Sequence, residues 1–159
     1  MESVAIRLSQ DELALLSEML DITHLGGSPV TAMQLSTSDQ AALVRSAVQR
    51  GLLARGLLLP ANDGSLVIDG SIQRLLHLCA YPDAALLITS RSGDSELRQQ
   101  EAYYRLGEVV VRHYMPLDGV HDLALLAEMP DVASPVVAWL GERTAAVVQP
   151  ALRLESRPS

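Results

Sequence analysis

Lysine and phenylalanine are absent from this chain of 159 residues, so all 12 basic residues are arginine. A phosphate-binding loop of the Gly-Lys-Ser/Thr type requires a lysine, and its absence excludes that class of nucleotide-binding protein. Arginine in place of lysine, with apolar content supplied mostly by Leu, Ala and Val, is typical of a GC-rich bacterial genome. We therefore expect a bacterial source.

A single cysteine, Cys79, excludes an internal disulfide. It lies in the predicted helix SIQRLLHLCAY, where the expected role is that of a small buried apolar residue. Long apolar runs are also lacking, and none approaches the roughly 18 residues that a membrane-spanning helix needs. The start MESVAIRLSQDE has no basic region followed by an apolar stretch, so no signal peptide is predicted. These features predict a cytoplasmic protein without a membrane partner.

The net charge of −7 and the pI of about 4.9 describe an acidic chain. Binding a polyanion requires local positive charge that displaces counterions. The charge balance therefore argues against nucleic acid as a partner. Apolar residues make up 48% of the chain, which is enough for a packed core and argues against disorder.

In the N-terminal part the apolar residues first alternate with other residues and then recur at helical spacing. In SVAIRLS the apolar residues recur at every second position, which predicts a half-buried strand. Ser9 and Glu12 have the spacing of a capping box ahead of the predicted helix ELALLSEMLDI. A second helix is predicted in STSDQAALVRSAVQRGLLARG, with a core-facing set at helical spacing: Ala42, Leu43, Ala47 and Val48.

Two short strands follow that helix. The segments LLLP and SLVID flank Asp63-Gly64, which is a strong hairpin signal. Ser71 is the predicted N-cap of the next helix, which ends before Pro82. The order of helix, hairpin and helix resembles a winged helix.

A winged helix raises the question of DNA binding. Arg45 and Gln49 are four residues apart on the second helix and share one face, as contacts in a major groove would. Asp39 opens that helix, and Asp63 and Asp69 flank the hairpin, where their charges would repel phosphate. A DNA-binding regulator with Arg45 and Gln49 as contacts is therefore kept as the alternative function.

Residues 84–128 are predicted to form an antiparallel meander of four strands. If Leu106-Gly107 is a two-residue loop, Arg105 faces Glu108 and Glu101 faces Arg112, and both pairs have opposite charge. The segment DVASPVVAWLGERTAAVV then predicts a closing C-terminal helix. We expect a single α+β domain over residues 1–150 and a frayed tail over residues 151–159.

Residues of the types used in catalysis or metal binding are scattered along the sequence and form no recognisable motif. There is no Gly-x-Ser-x-Gly elbow, and no carboxylate pair stands out. With Asp118-Gly119 as a two-residue turn, His121 lies opposite Pro116 and His113 points to the other face, so the two histidines should not share a metal. No catalytic residue, metal ligand or cofactor is predicted, and the chain is not expected to be an enzyme.

The meander is rich in residues suited to a protein interface. Large side chains with a polar end are common in such surfaces. The candidate interface residues are Tyr103, Tyr104, Val110 and Tyr114. The expected partner is a second copy of the chain, or else a protein client.

The stretch from Leu43 to about Ala127 resembles the EspG family, the cytoplasmic chaperones of mycobacterial type VII secretion. The resemblance lies in LVRSAVQRGLLARG, in DGSLVIDGSIQRLLHLCAYPDAALLI and in YYRLGEVVVRHYMPLDGVHDLALL. It implies an α+β fold with a central antiparallel sheet, built in the family from two similar halves. This chain has about half the family's length, so a homodimer is the expected way to supply the second half.

Together these patterns predict an α+β fold. It has N-terminal helices with a winged-helix-like helix–hairpin, then an antiparallel meander closed by a C-terminal helix. The predicted function is that of a non-enzymatic, chaperone-like protein-binding module that forms a homodimer.

Overall fold

The computed structural model of the chain describes residues 5–26, 28–30, 38–91 and 98–126. In chain order its elements are β1 (Ala5–Ser9), α1 (Gln10–Met19), β2 (His24–Leu25), β3 (Ser28–Pro29), α2 (Ser38–Ala54), β4 (Leu58–Pro60), β5 (Leu66–Ile68), α3 (Gly70–Ala80), β6 (Ala84–Arg91), β7 (Arg98–Leu106), β8 (Val109–Leu117) and β9 (Val120–Leu126). The closing helix and the tail predicted from the sequence lie outside the described residues.

The main sheet has five strands in the order β1-β9-β8-β7-β6, and each neighbouring pair is antiparallel. The predicted four-strand meander is confirmed. The predicted N-terminal strand is confirmed too, and it pairs with the last strand of the meander, with Ile6 opposite Leu123. The described residues therefore form an α+β fold.

The core lies between one face of this sheet and the helices. Leu8, Val111 and Leu123 of the sheet pack in one cluster with Leu16 of α1 and Leu76 of α3. We call the face of the sheet that carries Leu8, Val111 and Leu123 the inner face. All five side chains are at most 1% exposed, so the inner face is the main apolar layer.

The capping box at the start of α1 is confirmed. Glu12 donates its backbone N–H to Ser9 Oγ, and Ser9 donates its backbone N–H to Glu12 Oε2. The same Glu12 carboxylate pairs with Arg55, whose guanidinium also donates to the carbonyl of Arg7. One acidic side chain therefore ties the end of β1 and the start of α1 to the end of α2.

The prediction for the core-facing side of α2 is confirmed for Val48, which packs against the core, and was wrong for the other three residues. Leu43 is 71% exposed, and Ala42 and Ala47 are exposed as well. The residues of α2 that pack in or against the core are Val48, Leu52 and Leu53, and only Leu52 is fully buried. Alanines on both sides made the stripe ambiguous, because their exposure costs little free energy.

The small hairpin after α2 forms as predicted, with Leu58 opposite Ile68 and Gly64 at a φ of 81° in its loop. The next helix begins earlier than predicted. Asp69, rather than Ser71, is its N-cap and accepts the backbone N–H groups of Ser71 and Ile72. Helix, hairpin and helix thus follow in the predicted order, while their interpretation as a winged helix stays a prediction.

The turn between β7 and β8 differs from the prediction. Leu106 pairs with Val109, so the two-residue turn is Gly107-Glu108, with Gly107 at a φ of 59°. A positive φ at the first turn position favours glycine, which explains the shift. Arg105 consequently lies opposite Val110. Glu101 lies opposite Tyr114, but its carboxylate still reaches Arg112 diagonally.

Candidate functional site

A β-bulge in β8 brings two histidines together. The pairs Tyr114–Asp122 and Leu117–Val120 leave Met115 and Pro116 facing only His121. An extra residue on one strand reverses which face the following side chains occupy. The prediction that His113 and His121 point to opposite faces was therefore wrong. Both lie on the inner face, with His113 Nε2 2.9 Å from His121 Nδ1.

Four side chains form a continuous chain of hydrogen bonds, which we call the histidine relay. Gln10 Oε1 can only accept, so His121 Nε2–H donates to it over 2.7 Å. His121 Nδ1 is then an acceptor, and His113 Nε2–H donates to it. His113 Nδ1 accepts in turn from the hydroxyl of Tyr104 at 3.3 Å. The relay links the start of α1 to three strands of the meander.

Burial keeps this relay neutral. It lowers the pKa of His113 to about 4, and the neighbouring His121 contributes in the same direction. Burial also lowers the pKa of His121, although Asp118 opposes the change. The pKa of Tyr104 is raised because its hydroxyl is buried. Near neutral pH both imidazoles are uncharged, which is the state that the alternating donors and acceptors require.

The relay lines part of a cavity of about 220 Å³ on the inner face. The rest of the lining is mostly apolar and includes Leu13, Leu25, Val30, Leu87 and Met115, with Gln100 as a further polar residue. The cavity therefore combines the polar groups of the relay with mostly apolar walls. Leu87, on the outermost strand of the meander, is 50% exposed.

Gly26, in the turn of the β2–β3 hairpin, lies against the ring of Tyr104. A Cβ on Gly26 would lie 2.0 Å from Cε1 of Tyr104, and the residue has a φ of 54°. Its backbone N–H donates to the carbonyl of Cys79 over 2.8 Å. Cys79 is fully buried, as predicted from its helix, and burial raises the pKa of its thiol. The hairpin thus sits directly against the Tyr104 ring and the end of α3.

The hydrogen-bonding positions of both imidazoles in the relay are occupied within the chain. All four ring nitrogens of His113 and His121 have a side-chain partner in this arrangement. Within the described ranges, no group of three or more His, Cys, Asp or Glu side chains is placed to hold a metal ion.

The predicted interface residues divide between the two faces of the sheet. Tyr104 is on the inner face, 5% exposed and part of the core. Tyr103, Val110 and Tyr114 are on the opposite face, which we call the outer face. Val110 is 1% exposed, whereas Tyr114 is half-buried under the guanidinium of Arg112. The four candidate interface residues are therefore divided between the two faces, and their role in an interface stays a prediction.

The residues of the DNA-binding alternative lie on one side of α2, as their spacing predicted. Arg45 is not free, because its guanidinium pairs with both carboxylate oxygens of Glu18 at 2.7 and 2.9 Å. Gln49 is half-buried. A groove-reading role would require this ion pair to break, which weakens the alternative.

The sequence analysis missed the relay, the cavity and the close contact of Gly26 with Tyr104. One signal was available: Pro116 has no backbone N–H, and a proline inside a strand often marks a bulge. The contribution of Gln10 had no such signal, because it depends on β1 pairing with β9 across more than a hundred residues.

No protein-family model and no curated protein matches this chain. A search of solved structures finds the type VII secretion system chaperone EspG5 of Mycobacterium tuberculosis, whose structure was solved in complex with the PE25–PPE41 dimer. The match has a TM-score of 0.54 and 14% sequence identity. It covers 89% of this chain and 52% of EspG5, so the chain spans about half the length of that protein. The fold is therefore similar to part of an EspG-type chaperone.

No helix in the described part of the chain is both long and apolar enough to cross a membrane.

Proposed function

We propose that this protein is a non-enzymatic, chaperone-like protein-binding module that acts as a homodimer in the cytoplasm. The observation that carries the proposal is the likeness of 89% of the chain to EspG5, a chaperone solved with a bound protein dimer. The proposed client is accordingly a protein of the kind that EspG5 binds, a PE–PPE heterodimer.

The interior of the fold supports a binding role over a catalytic one. The most polar group in the cavity is the histidine relay, and its hydrogen bonds are used within the chain. A general base needs a free acceptor within reach of its substrate. The relay instead fixes the inner face of the sheet, as a rigid binding scaffold requires.

The proposed homodimer is suggested by the extent of the match to EspG5. EspG5 is a chain about twice as long as the part of it that this protein matches. Two copies of the present chain supply the same amount of folded chain, related by a two-fold axis. A client that occupies both halves of EspG5 would then occupy both copies of this protein.

Calorimetric titration of the full chain with a panel of PE–PPE heterodimers, PE25–PPE41 among them, tests the proposal. We expect saturable binding of at least one heterodimer, with one client bound per two chains. Bovine serum albumin, an acidic protein of unrelated fold, is the control and should give no heat of binding. If no heterodimer in the panel binds, the proposed function is wrong. Binding of one client per single chain would retain the client but contradict the dimer.

A further inference from the structure

The outermost strand of the meander, β6, is an edge of the main sheet. It pairs with β7 on one side through eight residue pairs, from Ala84–Arg105 to Arg91–Arg98. Within the described residues, no strand pairs with its other side. An open edge presents a row of backbone donors and acceptors to any chain that can align with it.

This edge has little of the usual protection against pairing. Charged side chains, prolines and bulges are the features by which edge strands avoid other chains. Residues 84–90, AALLITS, contain no charge, no proline and no glycine, and the one charged residue of β6, Arg91, stands at the end of the strand. Leu87 is 50% exposed at the centre of this stretch. The strand at the other edge, β1, has only five residues and carries Arg7, paired with Asp122.

The stretch is complementary to itself in one antiparallel register. With Leu87 on the two-fold axis, each Leu87 lies opposite the same residue of the second copy. Leu86 then lies opposite Ile88, which adds an apolar pair on the outer face. Ala85 lies opposite Thr89 on the inner face, and no charged residue meets a like charge between residues 84 and 90.

We propose that two copies of the chain join edge to edge through β6, in the antiparallel register centred on Leu87. This proposal rests on the proposed homodimer and names its interface. The two five-stranded sheets become one sheet across the axis. A second copy is the occupant that the observations favour, because the edge is complementary to itself and the chain spans 52% of EspG5.

The proposed β6–β6 pairing adjoins two features described above, the outer face near Tyr103 and the cavity on the inner face. Leu86 lies opposite Tyr103 in the β6–β7 ladder, so the outer-face junction is continuous with the surface that carries Tyr103 and Tyr114. On the inner face, Leu87 lines the cavity, and its partner across the axis would cover the exposed half of its side chain.

Cysteine crosslinking tests the register. The natural chain has one thiol, Cys79, which is fully buried, so an introduced cysteine reports alone. We expect L87C to form a disulfide-linked dimer under mild oxidation, at least tenfold more than T89C. Thr89 is exposed on the same strand and face, but its two copies would be offset by roughly 13 Å along the strands. That separation is too long for a disulfide, which needs Cα atoms within about 7 Å.

Equal crosslinking of L87C and T89C, or none of either, would overturn the register. A second variant tests the interface without a thiol. L87D should reduce the mass in solution to that of one chain, whereas L117D, at another exposed leucine beside the β8–β9 turn, should not. If L87D keeps the mass of the natural protein, the β6 interface is wrong. The titration with PE–PPE heterodimers still reports separately whether the protein binds a client.

Discussion

Tyr104 is held from two directions, which makes it a key residue of the fold. Its ring lies against Gly26, and its hydroxyl donates to His113 at the head of the histidine relay. A single side chain thus couples the β2–β3 hairpin to the inner face of the sheet. No sequence pattern reveals this contact, because Gly26 and Tyr104 are 78 positions apart, as their residue numbers show.

Replacing Gly26 by alanine should destabilise the protein more than the same change at Gly64. Both glycines have positive φ, so both variants incur backbone strain. Only Gly26 also faces a clash, since its Cβ would meet the Tyr104 ring, whereas nothing lies within 4 Å of a Cβ on Gly64. We expect the free energy of unfolding of G26A to be about 1–3 kcal/mol lower than that of G64A, measured by urea denaturation. Equal losses in the two variants would contradict the packing described for Gly26.

The burial of Cys79 was predictable from the sequence. Its place on the apolar side of a predicted helix was enough to predict a buried residue, and the structure confirms it. The pattern around Leu43 was less informative. Alanines lie near it on α2, and the residues of this helix that pack in or against the core are Val48, Leu52 and Leu53 instead.

At the scale of elements, short-range sequence patterns were sufficient to predict a helix start or a hairpin that depends on a few neighbouring residues. The capping box of Ser9 and Glu12 and the hairpin at Asp63-Gly64 are confirmed. The β8–β9 register was not predictable from its turn alone. Leu117 does pair with Val120, but the bulge beside Pro116 reverses the faces beyond it. A single extra residue therefore decides whether His113 and His121 meet.

The relay predicts that stability decreases in mild acid. In the unfolded chain a histidine takes up a proton near its ordinary pKa of 6.5, whereas folded His113 resists protonation until about pH 4. The contribution of neutral His113 is complete above pH 6.5 and is lost as the pH falls from 6.5 towards 4. The free energy of unfolding should drop by about 2 kcal/mol between about pH 7.5 and pH 5 because of His113 alone. Urea denaturation at a series of pH values measures this change.

Two variants serve to assign the effect. H113Q removes one of the two imidazoles whose pKa is lowered, so the dependence between pH 5 and 7.5 should decrease by the part that His113 contributes, while the part due to His121 remains. H24Q is the matched control, because His24 is exposed and lies outside the relay, and it should retain the dependence of the natural protein. A natural protein with constant stability over this range, or an H24Q variant that loses the dependence, would contradict the assignment.

Asp122 and Asp63 affect stability at a lower pH than His113 does. The hydrogen bonds and charge of Arg7 lower the pKa of Asp122, and Ser65 lowers the pKa of Asp63. A lowered carboxyl pKa contributes stability above the ordinary carboxyl pKa of about 4 and loses it only below that value. The histidine effect therefore precedes theirs as the pH falls.

At the scale of the whole molecule, the meander was predictable because its strands follow each other with short turns. The position of β1 was not, since its pairing with β9 joins opposite ends of the described chain. That pairing brings Gln10 next to His121 and so completes the relay. Gln10 and His121, which both line the cavity, are brought together by the same long-range pairing. Local sequence patterns therefore did not predict the cavity.

The two edges of the sheet differ. One edge, β1, has five residues with Arg7 at its centre, and the other, β6, has eight residues with its one charged residue, Arg91, at its end. The proposed dimer uses the β6 edge, and its two copies together would have about the length of EspG5, to part of which this chain is similar in fold. The acidic composition and the pairing of Arg45 with Glu18 agree with a protein partner rather than with nucleic acid.

The molar mass of the natural protein in solution tests this account most directly. Size exclusion with light scattering should give twice the chain mass of 17.1 kDa, about 34 kDa, constant over a tenfold or larger range of concentration. That result would agree with a two-fold assembly completed by a second copy. A stable mass of 17.1 kDa at every concentration would contradict the homodimer and its β6 interface.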